Sequence, residues 1–148
     1  MIKRIKNLQR DTIHEIRTTK YGIRYTVFLM TEKIKSFRDL NIWKKGIEIV
    51  DDIYRITKSF PKEESYGLTS QMRRCAVSIP SNASEGFARK HNKEYKQFLY
   101  IALGSCAELE TQIEIASELK YVNGEKKKVL LEKIDHESRM LTNLIKKL

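Results

Sequence analysis

The chain has 148 residues, 41% hydrophobic and 32% charged, which marks a globular domain long enough for a proper core and excludes a disordered chain. Gly (6) and Pro (2) are too scarce for the many turns of a β-sandwich or barrel. A formal net charge of +10, from 29 basic and 19 acidic side chains, favours polyanionic partners such as RNA, DNA or an acidic protein face, without implying sequence recognition.

Residues 1–35 stand apart: they hold nine basic and three acidic residues. "IKRIKNLQRDTIHEIR" has the pattern of a short helix and "YGIRYTVFLM" alternates weakly like a strand. The segment reads either as a basic extension without fixed structure or as upstream codons ahead of a true start at Met30. The helical pattern begins just after Met30, which favours the second. The apolar run Tyr25 to Met30 is too short for a membrane span or a signal sequence, so the expected location is cytoplasmic. Residues 36–148 are expected to form the folded domain.

From Leu40 to Phe60 two apolar stripes run side by side at 3,4 spacing. One holds Leu40, Trp43, Ile47, Val50, Tyr54 and Thr57; the other holds Ile42, Gly46, Ile49, Ile53, Ile56 and Phe60. Together they span roughly 160°, where a bundle helix needs about 100°. The excess predicts self-association, with Ile42, Ile49, Ile53 and Ile56 as the expected oligomer interface. A deeply seated helix in a monomer is the other reading.

A second helix is predicted from Glu63 to Arg89, with Leu68, Met72, Cys75, Ile79, Ala83 and Phe87 on its core face. A third carries Tyr95, Leu99, Ala102, Cys106, Leu109, Ile113 and Ala116, and its small-residue centre "ALGSCA" admits a close neighbour. Gly124 in "VNGE" suits a left-handed helix stop. The last helix buries Leu130, Ile134, Leu141, Ile145 and Leu148. The expected fold is an all-α, antiparallel up-down four-helix bundle with a Pro-kinked second helix. Cys75 and Cys106 read as reduced core residues.

Catalytic chemistry finds little support. His14, His91 and His136 are scattered and lack metal-ligand spacing. Glu110, Glu114 and Glu118 share a helix face, but the Glu-x-x-His motifs of bundle di-metal sites are missing, as is a phosphate loop. No enzyme activity, metal or cofactor is expected. In "SIPSNASEGFARK" (78–90), Pro80 costs a helix about 3 kcal/mol unless accommodated. Ser81, Asn82 and Glu85 are expected to stabilise a kink there, Asn82 accepting from the Glu85 amide as in a capping box. The competing reading, Ser81 as a nucleophile, has no base to activate it.

The basic residues carry more. Arg73 and Arg74 precede the proline; Arg89, Lys90, Lys93 and Lys96 follow it; Lys126 and Lys127 open the last helix. Arg89, Lys93 and Lys96 are expected on one face, touching phosphates without reading bases. An ordinary solvated basic surface is the alternative.

"FRDLNIWKKGIEIVDDIYRIT", "YGLTSQMRRCAVSIPSNASEGFARK" and "FLYIALGSCAELETQIEIASEL" closely resemble the bacterial four helix bundle protein family, first met as proteins encoded within intervening sequences of 23S ribosomal RNA genes. The resemblance covers about residues 36–148; Ser84 departs from it, where small apolar residues are usual. It implies a kinked bundle that assembles as a homopentamer. A related branch, the accessory variability protein of diversity-generating retroelements, binds nucleic acid and a reverse transcriptase. The function expected is therefore a non-catalytic, oligomeric bundle binding RNA or DNA largely independently of sequence, with a ribosome-related role. The alternative is a protein-interaction scaffold such as a reverse-transcriptase accessory protein.

Overall fold

The computed structural model describes residues 16–18, 24–26 and 34–148. The chain divides into two units, Met1–Lys35 and Ser36–Leu148. In the first, strand β1 (Ile16–Thr18) pairs antiparallel with β2 (Arg24–Thr26), Ile16 facing Thr26 and Arg17 facing Tyr25. Ile16 and Arg17, expected to close a short helix, are strand residues instead. β-Branched Ile16 and Thr18 suit an extended pair better than a helical turn. The remaining expectations for this segment, the start at Met30 among them, lie outside the described residues.

The second unit is an all-α bundle of four helices. Its entry is a single 3₁₀ turn, Phe37–Asp39, closed by a reciprocal cap: the Ser36 hydroxyl accepts from the Arg38 amide and the Asp39 carboxylate from the Ser36 amide. Helix α1 (Asn41–Ile56) follows. Its two stripes separate cleanly. Ile42, Gly46, Ile49 and Ile53 are buried within the single chain, whereas Ile47 and Tyr54 keep 43% and 41% of their surface exposed. The expected interface at Ile42, Ile49 and Ile53 is thus corrected to core, with Ile56 half-buried beside it. The outward stripe is Trp43, Ile47, Val50 and Tyr54.

Helix α2 (Leu68–Ala88) decides which stripe turns inward. A methyl group placed on Gly46 would stand 3.1 Å from Pro80 Cβ and 3.2 Å from its Cδ, so α1 and α2 touch where one has no side chain and the other has no amide hydrogen. Neighbouring Ile42, Ile49 and Ile53 share that face and are carried into the core. α2 begins at Leu68 rather than Glu63. Residues Lys62–Ser65 form a 3₁₀ turn instead, and the Glu64 carboxylate accepts from the Leu68 amide at 2.8 Å, supplying the start signal from outside the helix.

Helix α3 (Asn92–Glu118) returns along α2. The "ALGSCA" centre seats there as expected: Cys75 Sγ donates to the Ser105 carbonyl at 3.0 Å, and the Ser78 and Ser105 hydroxyls lie 2.9 Å apart. α3 stops through Lys120, whose φ of 62° is left-handed. The Tyr121 amide closes back on the Ala116 carbonyl at 2.8 Å. Gly124, expected to hold that conformation, instead opens helix α4 (Gly124–Lys147) behind an Asn123 cap, whose Oδ1 accepts from the Lys126 amide. The stop of α3 and the start of α4 thus lie four residues apart, at Lys120 and Gly124.

Met72 and Ile79 of α2, Leu99 and Leu109 of α3, and Ile134 and Leu141 of α4 are fully buried. Leu148, expected in the core, is half-buried. Both cysteines are free and buried, and desolvation pushes each thiol up to about 12, which keeps them unreactive. One core position breaks the apolar pattern. Glu137 of α4 is 0% exposed, and neither carboxylate oxygen has a hydrogen-bond partner among the described residues. Desolvation raises its pKa to about 8, with Lys45 opposing weakly.

Two predictions follow from this packing. Gly86→Ala would normally gain about 1 kcal/mol of helix propensity. Here the new methyl would stand 2.6 Å from Tyr95 Cδ2 and 2.8 Å from Phe98 Cβ, with Tyr95 fully buried and unable to yield. Overpacking should win, and urea unfolding should show a net loss of about 1–3 kcal/mol. Glu137 supplies the second. The unfolded carboxyl loses its proton near 4.5 and the folded one near 8, so stability should fall as pH rises through that window and level off above it. Glu137→Gln should flatten the decline and gain about 2–4 kcal/mol at pH 9, measured as the difference between unfolding curves at pH 5 and pH 9.

Candidate nucleic-acid interface

The structure sorts the basic residues by whether an acid already holds them. Arg89 pairs with Glu85 one turn back and lays its guanidinium 4.7 Å from the Phe98 ring centroid. Lys127 pairs with Glu114, one member of the acidic ridge on α3, and Lys133 with Asp52 of α1. Lys45 and Glu48, Arg55 and Asp51, and Arg139 and Asp135 pair within their helices. These cations are committed to the fold, and exposed pairs among them contribute little stability. Glu110 of the same ridge is raised by desolvation and by Asp135.

Arg73, Arg74, Lys90, Lys93, Lys96 and Lys126 enter no ion pair among the described residues. The same holds for Lys58 and Lys62, which the sequence reading did not single out. Arg89, Lys93 and Lys96 were expected on one face across the joint between the second and third helices, and that joint lies between Ala88, the last residue of α2, and Asn92. Arg89 is extended (ψ 149°), and α3 starts afresh at Asn92. Lys93 is exposed and Lys96 half-buried on α3. Arg89 therefore turns back onto its own helix and Phe98 instead of continuing their row.

Arg73 is the most firmly placed of the unpaired cations. Its Nε donates to Thr57 Oγ1 at 2.9 Å, and its guanidinium carbon lies 4.8 Å from the Tyr54 ring centroid. Thr57 is itself buried, and its hydroxyl donates to the Ile53 carbonyl at 2.7 Å. Two surface cavities, of about 470 Å³ and 320 Å³, meet at Arg73. The sequence signal was faint, since Thr57 and Arg73 are 16 positions apart.

Family membership follows from the chain as a whole. The family model for the 23S rRNA-intervening sequence protein matches residues 38–143, most of the chain and nearly all of the bundle. The chain belongs to that family. The crystal structure of a protein with unknown function from the S23 ribosomal protein family of Bacteroides thetaiotaomicron VPI-5482 is similar to it. That likeness has a TM-score of 0.66 at 20% identity, and covers 71% of this chain and 95% of that one. At this identity the likeness speaks for the fold alone. No curated protein matches.

The family is a non-catalytic one. Among the described residues no group of His, Cys, Asp or Glu is placed to hold a metal ion, and no helix is long and apolar enough to cross a membrane. The proline stretch forms no break: α2 runs through Pro80, which is buried. The expected capping box does not form. Asn82 Nδ2 donates to the Ser78 carbonyl at 2.8 Å and to Ser78 Oγ at 2.9 Å, bracing the helix from its side because no new helix starts there. Glu85 is taken by Arg89, and Ser84 Oγ donates to the Ser81 carbonyl. Ser81 is exposed. Ser81→Ala should therefore change stability by less than about 0.5 kcal/mol. Asn82→Ala should cost about 0.5–1.5 kcal/mol, the two compared by denaturant unfolding.

Proposed function

We propose that this protein is an oligomeric bundle that holds RNA by its phosphate backbone without reading bases. The observation that carries the proposal is the division of the charges: the described ion pairs leave Arg73, Arg74, Lys58, Lys62, Lys93 and Lys96 without an acidic partner. Cations spread over helix surfaces neutralise phosphates and release counterions, a sequence-independent attraction. RNA is favoured over DNA by the family's link to 23S rRNA genes. The two buried, reduced thiols fit action in the cytoplasm.

Assembly strengthens the attraction. The outward stripe of α1 exposes Ile47 and Tyr54 beside half-buried Trp43 and Val50, an apolar face that a second copy would cover. Five copies is the number the family resemblance implies, and repetition of a weak site around a ring gives avidity. Light scattering on the wild-type chain should report a mass near five chains, and Ile47→Glu should lower it, because an unpaired charge buried at the contact costs several kcal/mol. A wild-type monomer at micromolar concentration would refute the assembly.

Fluorescence anisotropy with two unrelated single-stranded 20-mer RNAs tests the binding. Affinities should agree within a few fold, and log affinity should fall by about 0.7 per phosphate contact for each tenfold rise in salt. Lys93→Ala with Lys96→Ala should weaken both RNAs alike and reduce that slope. Binding to one sequence only, insensitive to salt, would overturn the proposal.

A further inference from the structure

We infer that the groove around Arg73 is a built seat for one phosphodiester of a bound RNA strand, an inference that rests on the reading above and assigns it a centre. The two cavities share Ser65, Thr69 and Arg73, so they form one continuous groove with Arg73 at its waist. One limb is bounded by Tyr54, Ser70 and Arg74, the other by Lys58, Phe60 and Lys62. Four cations line it and no carboxylate does. Of the two acids in the adjoining turn, Glu64 accepts from the Leu68 amide and Glu63 is exposed.

The chemistry of Arg73 selects the ligand. A guanidinium has five N–H donors in a planar fork. The Nε donor is taken by Thr57, and the Tyr54 ring lies against the guanidinium. What remains is the edge carrying both Nη groups, the edge that binds two oxygens of one phosphate or carboxylate. Because Thr57 is buried and tied to the Ile53 carbonyl, the fork is oriented before any ligand arrives, and little side-chain freedom is lost on binding. Thr69 adds an independent sign. It is 7% exposed and lines both limbs of the groove. A hydroxyl so placed can donate to an acceptor in the groove beside the Arg73 fork.

A groove open along two limbs, with cations on both sides of the waist, fits a phosphate that has chain on either side. Lys58 and Lys62 would meet the backbone on one side and Arg74 on the other, as point charges whose loss only weakens the general attraction. Arg73 differs because its geometry, and not just its charge, makes the contact.

The test uses the full chain, a fluorescein-labelled 12-mer oligouridylate followed by anisotropy across a salt series, and inorganic phosphate followed by ³¹P NMR. Arg73→Lys keeps the charge and removes the fork, so affinity should fall about tenfold while the salt slope stays unchanged. Thr69→Val should weaken binding several fold. Lys93→Ala, outside the groove, should instead lower the slope. Thermal melts check the variants, and if Arg73→Lys melts early, Thr69→Val decides. If the deciding variant binds like wild type while Lys93→Ala weakens binding, the groove assignment falls and the general reading stands. If the wild type ignores the oligonucleotide but broadens the phosphate signal in an Arg73-dependent way, the seat serves free phosphate and the strand assignment is overturned along with the RNA reading. If the wild type binds neither, both fall.

Discussion

The contact between Gly46 and Pro80 governs the arrangement of this bundle. A helix interior that contains proline lacks one amide hydrogen bond and carries a ring that crowds the preceding turn. Burial against another helix is a stable setting for such a ring only if the partner comes close enough to cover it. Gly46 provides that approach, since even a methyl group there would press on the proline at about 3.1 Å. Once α1 and α2 are fixed by this pair, the rotation of α1 about its axis is settled, and with it the choice of which isoleucines become core. α3 is then held against the other side of α2 through a second close contact, at Gly86, and through the Cys75–Ser105 and Ser78–Ser105 bonds.

The surface follows a different logic. Six acidic side chains, Glu48, Asp51, Asp52, Glu85, Glu114 and Asp135, are spent on cations of the same chain. Most of these pairs are too exposed to stabilise the fold much. Their larger effect is to remove particular cations from the set available to a polyanion, so that a chain of +10 does not attract uniformly. The groove at Arg73 is where free charge coincides with fixed geometry.

Much of this was legible in the sequence, and the rest failed for identifiable reasons. The four helices and most of their core positions follow from 3,4 periodicity, because burial selects the same face turn after turn; Met72, Leu99, Ile113 and Ile134 are all where spacing places them. The rotation of α1 was not legible. Its two stripes are equally apolar, and only a partner 34 positions away in sequence breaks the tie. The left-handed residue after α3 is Lys120 and not the nearby glycine, since the helix ends where the Tyr121 and Val122 amides can reach back to Ala116, whatever residue falls there. Among the basic residues, sequence identified the charges but not their pairing. Arg89 and Arg73 are alike in sequence, but Glu85 and Phe98 hold Arg89 in the fold.

The carboxyl of Glu137 has a consequence in calorimetric terms. At pH 7 the folded chain keeps a proton on this group, while the unfolded chain has released it. Folding at neutral pH thus draws about one proton per chain from the surrounding buffer. The heat measured on folding contains the ionisation enthalpy of whatever buffer gives up that proton. The same transition would differ in enthalpy between phosphate and Tris by close to the difference in their proton-release heats, with no change in any contact inside the protein. An assembly of several chains would take up that many protons as it forms from unfolded polypeptide, making its yield sensitive to the acidity of the compartment where it is made.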